Sequence, residues 1–168
     1  MTDIRLVQSD SGVVPQAITI DWLLTPAGAL DTTQELASAV IVALGTDRLA
    51  RPDDELPDPD SDDRRGWWGD LEAQQIWNGW PIGSHLWLLS RAKITGAAAR
   101  QGSTVQRAEN YVREALRPFR ERGIASRIDV RAERTAIDTI EVNATLYRGP
   151  KVAVELRWQA LWNEIGAV

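Results

Sequence analysis

The sequence predicts an α+β protein. Two main helices and a short tryptophan-rich helical segment are expected to pack on a C-terminal three-stranded antiparallel meander, with a small β region at the N-terminus. The prediction depends on two stretches with apolar residues at three- and four-residue steps, and on three consecutive stretches that alternate apolar with polar residues. With 168 residues, 43% of them hydrophobic, the chain can bury a core of its own, so we expect a single domain over residues 1–168.

The first 24 residues predict two short strands. Residues 3–8 form a β-prone run, and residues 17–24 place Ile18, Ile20 and Trp22 on one face. A turn-rich spacer lies between them. This pattern is typical of a hairpin or of two edge strands.

The first helix is predicted to follow Thr32. Thr32 and Glu35 have the spacing of a capping box, in which both side chains satisfy free backbone N–H groups. Gly45 is a plausible end for the helix. One apolar stripe is formed by Leu36, Ala39, Val40, Ala43 and Leu44.

Residues 52–63 form an acidic, proline-rich loop within the domain. Seven of these residues are acidic, three are proline, and Leu56 is the only large apolar one. Such a segment cannot bury enough apolar surface to fold alone.

Asp58, Asp60 and Asp62 in this loop have a spacing that can chelate calcium. An EF-hand also needs a glycine at its sixth position and a glutamate at its twelfth, where this chain has Asp63 and Gly69. We therefore predict a solvated acidic loop and no metal site.

The segment Arg64–Lys93 holds five of the eight tryptophans, and glycines interrupt it. Its indoles either fill the core or form an interaction surface, since contiguous apolar surface usually marks a binding site. Residues Ser84–Ala92 are predicted to be helical, with His85 as a packing or capping residue. The tryptophans are Trp67, Trp68, Trp77, Trp80 and Trp87.

The second long helix is predicted to begin at Ser103, which forms a capping box with Gln106. Pro118 should kink or end this helix, and Gly123 should close it. Its apolar stripe contains Val105, Ala108, Val112, Ala115, Leu116 and Phe119. Its other faces carry Arg107, Arg113, Arg117 and Arg120, which suit either an anionic partner or a solvated face paired with Glu109 and Glu114.

The last third of the chain predicts three antiparallel strands at residues 124–133, 139–147 and 152–160, with a turn at residues 148–151. In the third strand the apolar face is predicted to contain Val152, Val154, Leu156, Trp158 and Ala160. A sheet of this kind has edges, and an edge strand can accept a strand from another chain.

The composition excludes several classes of function. The chain has no cysteine and one histidine, so thiolate and multi-histidine metal sites are excluded, and we expect no cofactor. No serine–acid–histidine order is present, so we predict no catalytic residues. The net charge of -5 argues against nucleic acid as a partner. Without a signal peptide or a long apolar run, we expect no membrane contact and a soluble protein of the cytoplasm or of an assembly built there.

Two blocks resemble a known family. Asp62–Asp70, which contains the string RRGWWGD, and Gly83–Lys93, which reads GSHLWLLSRAK, resemble the small baseplate wedge protein of Mu-like phages. That family is related to the small wedge subunit of T-even contractile tails and to the sheath initiators of contractile injection systems. The T-even branch has a Glu-Pro-Arg motif after its long helix. Arg117–Gly123 lacks this motif.

The resemblance implies a structural role in the virion tail baseplate, without enzymatic activity, after assembly in the host cytoplasm. It implies a larger baseplate wedge protein, the tail sheath protein and tail hub or spike proteins as partners, with multiple copies around the tail axis. The subunit would nucleate the sheath by strand addition and dock on larger wedge proteins through the tryptophan-rich segment and the long helix. The alternative is a peptidoglycan-cleaving, muramidase-type tail enzyme using Glu72, although nothing pairs Glu72 with Asp70 or Glu109 across a cleft.

We predict partner contacts at twelve residues. They are Arg64, Arg65, Trp67, Trp68, Asp70, Trp77, Trp80, Arg113, Arg117, Val154, Leu156 and Trp158.

Overall fold

The mixed α+β class is confirmed by a computed structural model of the chain. Its contacts divide the chain into two compact units, Met1–Val42 and Ala43–Val168. The structure describes residues 6–10, 18–22, 24–29, 35–70, 72–76, 78–90, 103–135 and 139–161. None of the described helices is long and apolar enough to cross a membrane.

The first unit contains the predicted N-terminal strands. Strand β1, Leu6–Asp10, pairs antiparallel with β2, Ile18–Trp22, with Gln8 opposite Ile20. The prediction of a paired β region is therefore confirmed.

Helix α1 spans Glu35–Gly45 and runs from the first unit into the second. It ends at Gly45 as predicted, and Val40, Ala43 and Leu44 of the predicted stripe are buried. Thr32, the other half of the predicted capping box, lies outside the described residues.

The described residues between the long helices contain only short helical pieces. Residues 48–67 have turns and bends but no helix or strand. A 3-10 helix at Trp68–Asp70, helix α2 at Ala73–Ile76 and a second 3-10 helix at Leu86–Leu89 follow. The described part of the predicted helix Ser84–Ala92 is thus a single 3-10 turn, because the backbone of Ser84 is bonded to another segment, as described below.

Helix α3 spans Ser103–Glu121 and does not end at Pro118, while the alternative prediction of a kink at this residue stays a prediction. The helix continues through Pro118 for three residues. Gly123, with φ at +72°, then donates its N–H to Arg120 O at 3.1 Å, while Ile124 N donates to Phe119 O at 2.9 Å. This is the bond pattern of a Schellman motif, so the predicted role of Gly123 is confirmed.

Gln106, one half of the predicted capping box of α3, donates its Nε2 to Asn110 Oδ1 at 3.3 Å. A forward pair at this spacing lies along one face of a helix, where residues four apart are neighbours. The side chain of Ser103, the other half, lies outside the described residues, so the box stays a prediction.

The predicted three-stranded meander is confirmed. Strands β3, Arg127–Arg134, β4, Thr139–Arg148, and β5, Lys151–Leu161, pair antiparallel in that order. Helix α3 packs on β3 and β4. The alternating residues of β4 are buried, as their period of two predicts, and they are Ile140, Val142, Ala144 and Leu146.

The predicted apolar face of β5 is wrong at Val152. The register shifts between Leu146 and Tyr147, so that Leu146 faces Val154 but Tyr147 faces Val152, which leaves Ala153 as an extra residue. This bulge places Val152 and Val154 opposite different faces of β4. Val154 is accordingly 9% exposed and Val152 54% exposed.

Candidate functional site

A backbone bridge fixes the position of the tryptophan-rich segment. Asp47 and Ser84 form a parallel β-bridge, in which Ser84 N donates to Thr46 O at 2.9 Å and Arg48 N donates to Ser84 O at 3.0 Å. The buried hydroxyl of Ser84 donates to Leu44 O at 2.8 Å. These bonds attach the residues after α1 to the residues before the second 3-10 helix.

The acidic loop is closed where it meets the tryptophan-rich segment. Ala50 N donates to Arg64 O at 3.0 Å, which joins the two ends of the loop. Asp60 N donates to Asp58 Oδ1 at 3.2 Å, so the Asp58 carboxylate serves a local turn. Among the described residues, no group of three or more acidic or histidine side chains could hold a metal ion.

The RGWWGD string forms a tight loop organised by Asp70. The carboxylate of Asp70 accepts the N–H of Trp67 at 3.1 Å, and Asp70 N donates to Trp67 O at 3.0 Å. Because Asp70 is engaged within the loop, it acts as a positioning residue there.

Trp68 is presented to solvent by this loop. It is 73% exposed, and its ring contacts that of the half-buried Trp67 edge-on, with 5.1 Å between the centroids. Leu49, 50% exposed, lies beside the loop, since a Cβ built on Gly66 would be 3.1 Å from Leu49 Cβ. Trp68 and Leu49 are therefore two large, exposed apolar side chains, one on this hydrogen-bonded loop and one beside it, and together we call them the Trp68–Leu49 patch.

Trp87 packs within the chain. Trp87 is buried, donates its indole N–H to Arg48 O at 2.9 Å, and carries the Arg65 guanidinium 4.8 Å from its ring centroid. Arg65 also pairs with Asp47 at 2.5 Å. Arg65 thus covers a core tryptophan and is anchored at the backbone bridge.

Trp80 lies against the C-terminal end of α3. Its ring contacts Phe119 edge-on at 5.2 Å, and the Arg122 guanidinium lies 4.8 Å from its centroid. Arg122 also donates to Asn78 O at 2.8 Å. The tryptophan-rich segment is therefore part core and part surface, while Trp77 lies outside the described residues.

A polar cluster that sequence reasoning missed forms around Glu114. Its carboxylate pairs with Arg51, with Arg48 at 3.5 Å, and with His85 Nδ1 at 3.3 Å. The other ring nitrogen of the buried His85 lies 3.1 Å from Leu49 O. The sequence predicted Glu114 as an intrahelical partner of an arginine, but its partners come from distant segments, which no local pattern reveals.

The charges in this cluster shift the titration of Glu114. Partial burial acts to raise the pKa of Glu114, but the charges of His85, Arg51 and Arg48 together outweigh it and hold the pKa below its ordinary value. The same carboxylate raises the pKa of Arg51. The cluster thus ties α3 to the bridge and to the start of the acidic loop as an ionised network.

The other predicted site residues of α3 and the sheet are placed as follows. Arg113 pairs with Glu109 at 2.6 Å and contacts β3, while Arg117 is exposed and pairs with Glu121 at 3.2 Å. Val154 is buried. Leu156 and Trp158 occupy β5 opposite Ala144 and Val142, with their backbone alone described.

The carboxylates of the muramidase alternative are not brought together by any described contact. Asp70 is bonded within the RGWWGD loop, Glu109 is paired with Arg113, and Glu72 is exposed in the turn before α2. No observation in the described residues favours this reaction.

The described elements define an α+β protein with a fixed apolar patch and a short antiparallel sheet. The profile of the family described as Phage protein GP46 matches residues 36–153, so the chain belongs to the phage protein GP46 family. It is similar to Baseplate protein gp46 of Escherichia phage Mu, with 47% identity over 103 residues. This match covers 61% of this chain and 63% of the relative. No solved structure matches the chain. The resemblance to Mu-like phage baseplate proteins is thereby confirmed.

Proposed function

We propose that this protein is a structural subunit of the baseplate of a contractile phage tail, and that it is not an enzyme. The name of the similar Mu protein supports the baseplate assignment. The observation that carries the mechanism is the exposed indole of Trp68 on a loop held by backbone bonds. Exposed aromatic surface on a fixed backbone binds a partner at a low cost in conformational entropy.

The proposed docking surface is the patch of Trp68 and Leu49. Arg64 and Arg65 precede Trp68 by a few residues in the chain, and Arg65 is exposed. We propose a larger baseplate wedge protein as the occupant of this patch. Contacts through Arg117, Trp77, Trp80 and Arg113 stay predictions.

The proposed second role is to start the tail sheath by strand addition to the C-terminal sheet. A three-stranded antiparallel sheet with an open edge can accept a further strand through backbone hydrogen bonds. In this proposal several copies surround the tail axis near the hub or spike proteins, after assembly in the host cytoplasm.

Trp68→Ala is expected to remove the subunit from tails without unfolding it. Because Trp68 is largely exposed, we expect its loss to change the free energy of unfolding by about 0.5 kcal/mol or less. Truncating an interface tryptophan costs about 2 kcal/mol or more of binding free energy. The measurement is complementation of a phage that lacks its own copy of this subunit, with immunoblots of purified tails and urea unfolding of the free protein.

Leu24→Ala is the matched control, since Leu24 is also a large, exposed apolar side chain. We expect this variant to enter tails at the wild-type level. Normal incorporation of a folded Trp68→Ala protein would show that the patch is not the docking surface. Absence of the wild-type protein from tails would reject the baseplate role itself.

A further inference from the structure

One edge of the C-terminal sheet is covered by side chains of α3. Arg113 Nη2 donates to the carbonyl of Val130 in β3 at 2.7 Å, and the N–H of Ala132 points to Glu109 Oε2 at 3.4 Å. The two side chains are joined to each other at 2.6 Å. This pair, which we call the β3 clamp, bonds to the carbonyl of the residue before Arg131 and to the N–H of the residue after it.

The β3 clamp takes the place of a neighbouring strand. In a parallel ladder, one residue of a neighbouring strand donates to a carbonyl and accepts from the N–H two residues further on. Arg113 and Glu109 supply this donor and acceptor from side chains. A strand that adds to β3 would have to displace an ion pair and two hydrogen bonds.

The clamp also shows which backbone groups of the sheet point outward. The residue pairs of an antiparallel ladder alternate between bonded and non-bonded. Val130 and Ala132 direct backbone groups away from β4, so each belongs to a non-bonded pair. Their partners in β4, Ala144 and Val142, therefore direct their backbone groups toward β5. Thr135 and Thr139 form a bonded pair, with Thr135 N donating to Thr139 O at 3.1 Å, as this alternation requires.

The same alternation assigns the backbone of β5. Ala144 and Val142 face Leu156 and Trp158, which therefore use their backbone groups toward β4. The residues that alternate with Leu156 and Trp158 direct their N–H and C=O groups away from the sheet. They are Glu155, Arg157 and Gln159. Among the described strands, none pairs with this side of β5.

The outer side of β5 also offers a regular stretch of useful length. The bulge at Ala153 lies next to the hairpin, and from Val154 to Leu161 the register with β4 is continuous. These eight residues contain neither the bulge nor the proline by which many edge strands resist pairing. The two edges of this sheet are therefore unequal.

We propose that strand addition takes place on β5 and not on β3, with an extended segment of the sheath subunit bonding to the backbone of Glu155, Arg157 and Gln159. This inference rests on the proposed function, which brings the sheath to this sheet. The β3 clamp makes the contact one-sided, so each subunit accepts a strand at one edge.

Arg157→Pro tests the proposal, because proline removes one outward N–H and no bond to β4. Proline is tolerated on an edge strand when its nitrogen faces outward. We expect this variant to fold, to enter baseplates, and to reduce the number of sheathed tails, counted by electron microscopy, by about tenfold or more. The control is Ala132→Pro, which removes an outward N–H on β3 together with its weak bond to Glu109, while Arg113 still covers the Val130 carbonyl. This variant should form sheathed tails at the wild-type level.

The possible outcomes separate the two hypotheses. Sheathed tails at the wild-type level with a folded Arg157→Pro protein would overturn the proposal, as would loss of sheath with Ala132→Pro alone. A folded Arg157→Pro protein that is missing from baseplates would also overturn it, since β5 would then serve the baseplate contact. Wild-type protein absent from purified tails would reject the proposed function instead.

Hydrogen exchange on the unmodified protein decides the question if a proline variant does not fold. The amides of Glu155, Arg157 and Gln159 should exchange rapidly in the free protein and at least about tenfold more slowly in sheathed tails. The amide of Ala132 should change little. Equal exchange of the three β5 amides in the free and assembled states would contradict strand addition at this edge.

Discussion

Gly83→Ala is expected to destabilise the protein by about 3 kcal/mol or more, the sum of backbone strain and overpacking. Gly83 has φ at +98°, a conformation that side chains disfavour. A Cβ at this position would lie 2.7 Å from Thr46 O and 3.0 Å from Arg48 N. Both atoms belong to the backbone of the bridge and cannot move without breaking its hydrogen bonds. Urea unfolding followed by circular dichroism measures the loss.

The candidate functional site depends on the close approach of Gly83 to the backbone of Thr46 and Arg48. The bridge beside Gly83 holds the residues that contact Arg65, Trp87 and His85, so strain there also displaces the loop that presents Trp68. A loss of this size is a large part of the stability of a typical domain, roughly 5–15 kcal/mol. We therefore expect less folded protein and fewer tails.

Gly149→Ala is the control for this prediction. Gly149 also has a positive φ, at +63°, but a Cβ there would meet nothing within 4 Å. Only the conformational cost of the hairpin remains, about 1 kcal/mol. Equal losses for the two variants would show that the contact with Thr46 and Arg48 is not the cause.

Periodic patterns predicted the regular elements well because they record which face is buried. The period of two in β4 gives its buried residues, and Gly45 and Gly123 mark the ends of the two long helices. These signals are local, since each depends on residues a few positions apart.

Features that depend on a partner strand or on packing were not predictable in this way. The bulge at Ala153 is set by the register with β4, and α3 continues through Pro118 because its buried face packs on the sheet. Packing of this kind can offset the hydrogen bond that proline lacks.

Only the part of the candidate site that depends on a local sequence pattern was predictable. The RGWWGD string identifies the loop and its family, but not that Trp68 is exposed while Trp87 is buried. The cluster joins Glu114 to His85 and Arg51, which are 29 and 63 positions away, and to the still more distant Arg48. No spacing rule covers such distances.

Glu114→Gln is expected to destabilise the protein at pH 7 by about 2 kcal/mol. Removing one member of a buried ion pair costs about 3–5 kcal/mol, and we reduce this value because the Glu114 side chain is 20% exposed and Arg51 is half exposed. Glutamine keeps the shape of the side chain but leaves His85, Arg48 and Arg51 without their shared anion. The control is Glu121→Gln, which breaks the exposed pair with Arg117 and should cost about 0.5 kcal/mol or less.

The pH dependence of the unfolding free energy tests this prediction most directly. Because the pKa of Glu114 is lower in the folded state than in the unfolded chain, the unfolded state takes up the proton first as the pH falls. The stabilisation by Glu114 is therefore complete above the ordinary glutamate pKa of about 4.3 and is lost as the pH falls through the lowered folded value. The difference in unfolding free energy between the wild type and Glu114→Gln should shrink as the pH falls below about 4. A difference that stays the same down to pH 3 would mean that Glu114 stabilises the fold through its shape and not through its charge.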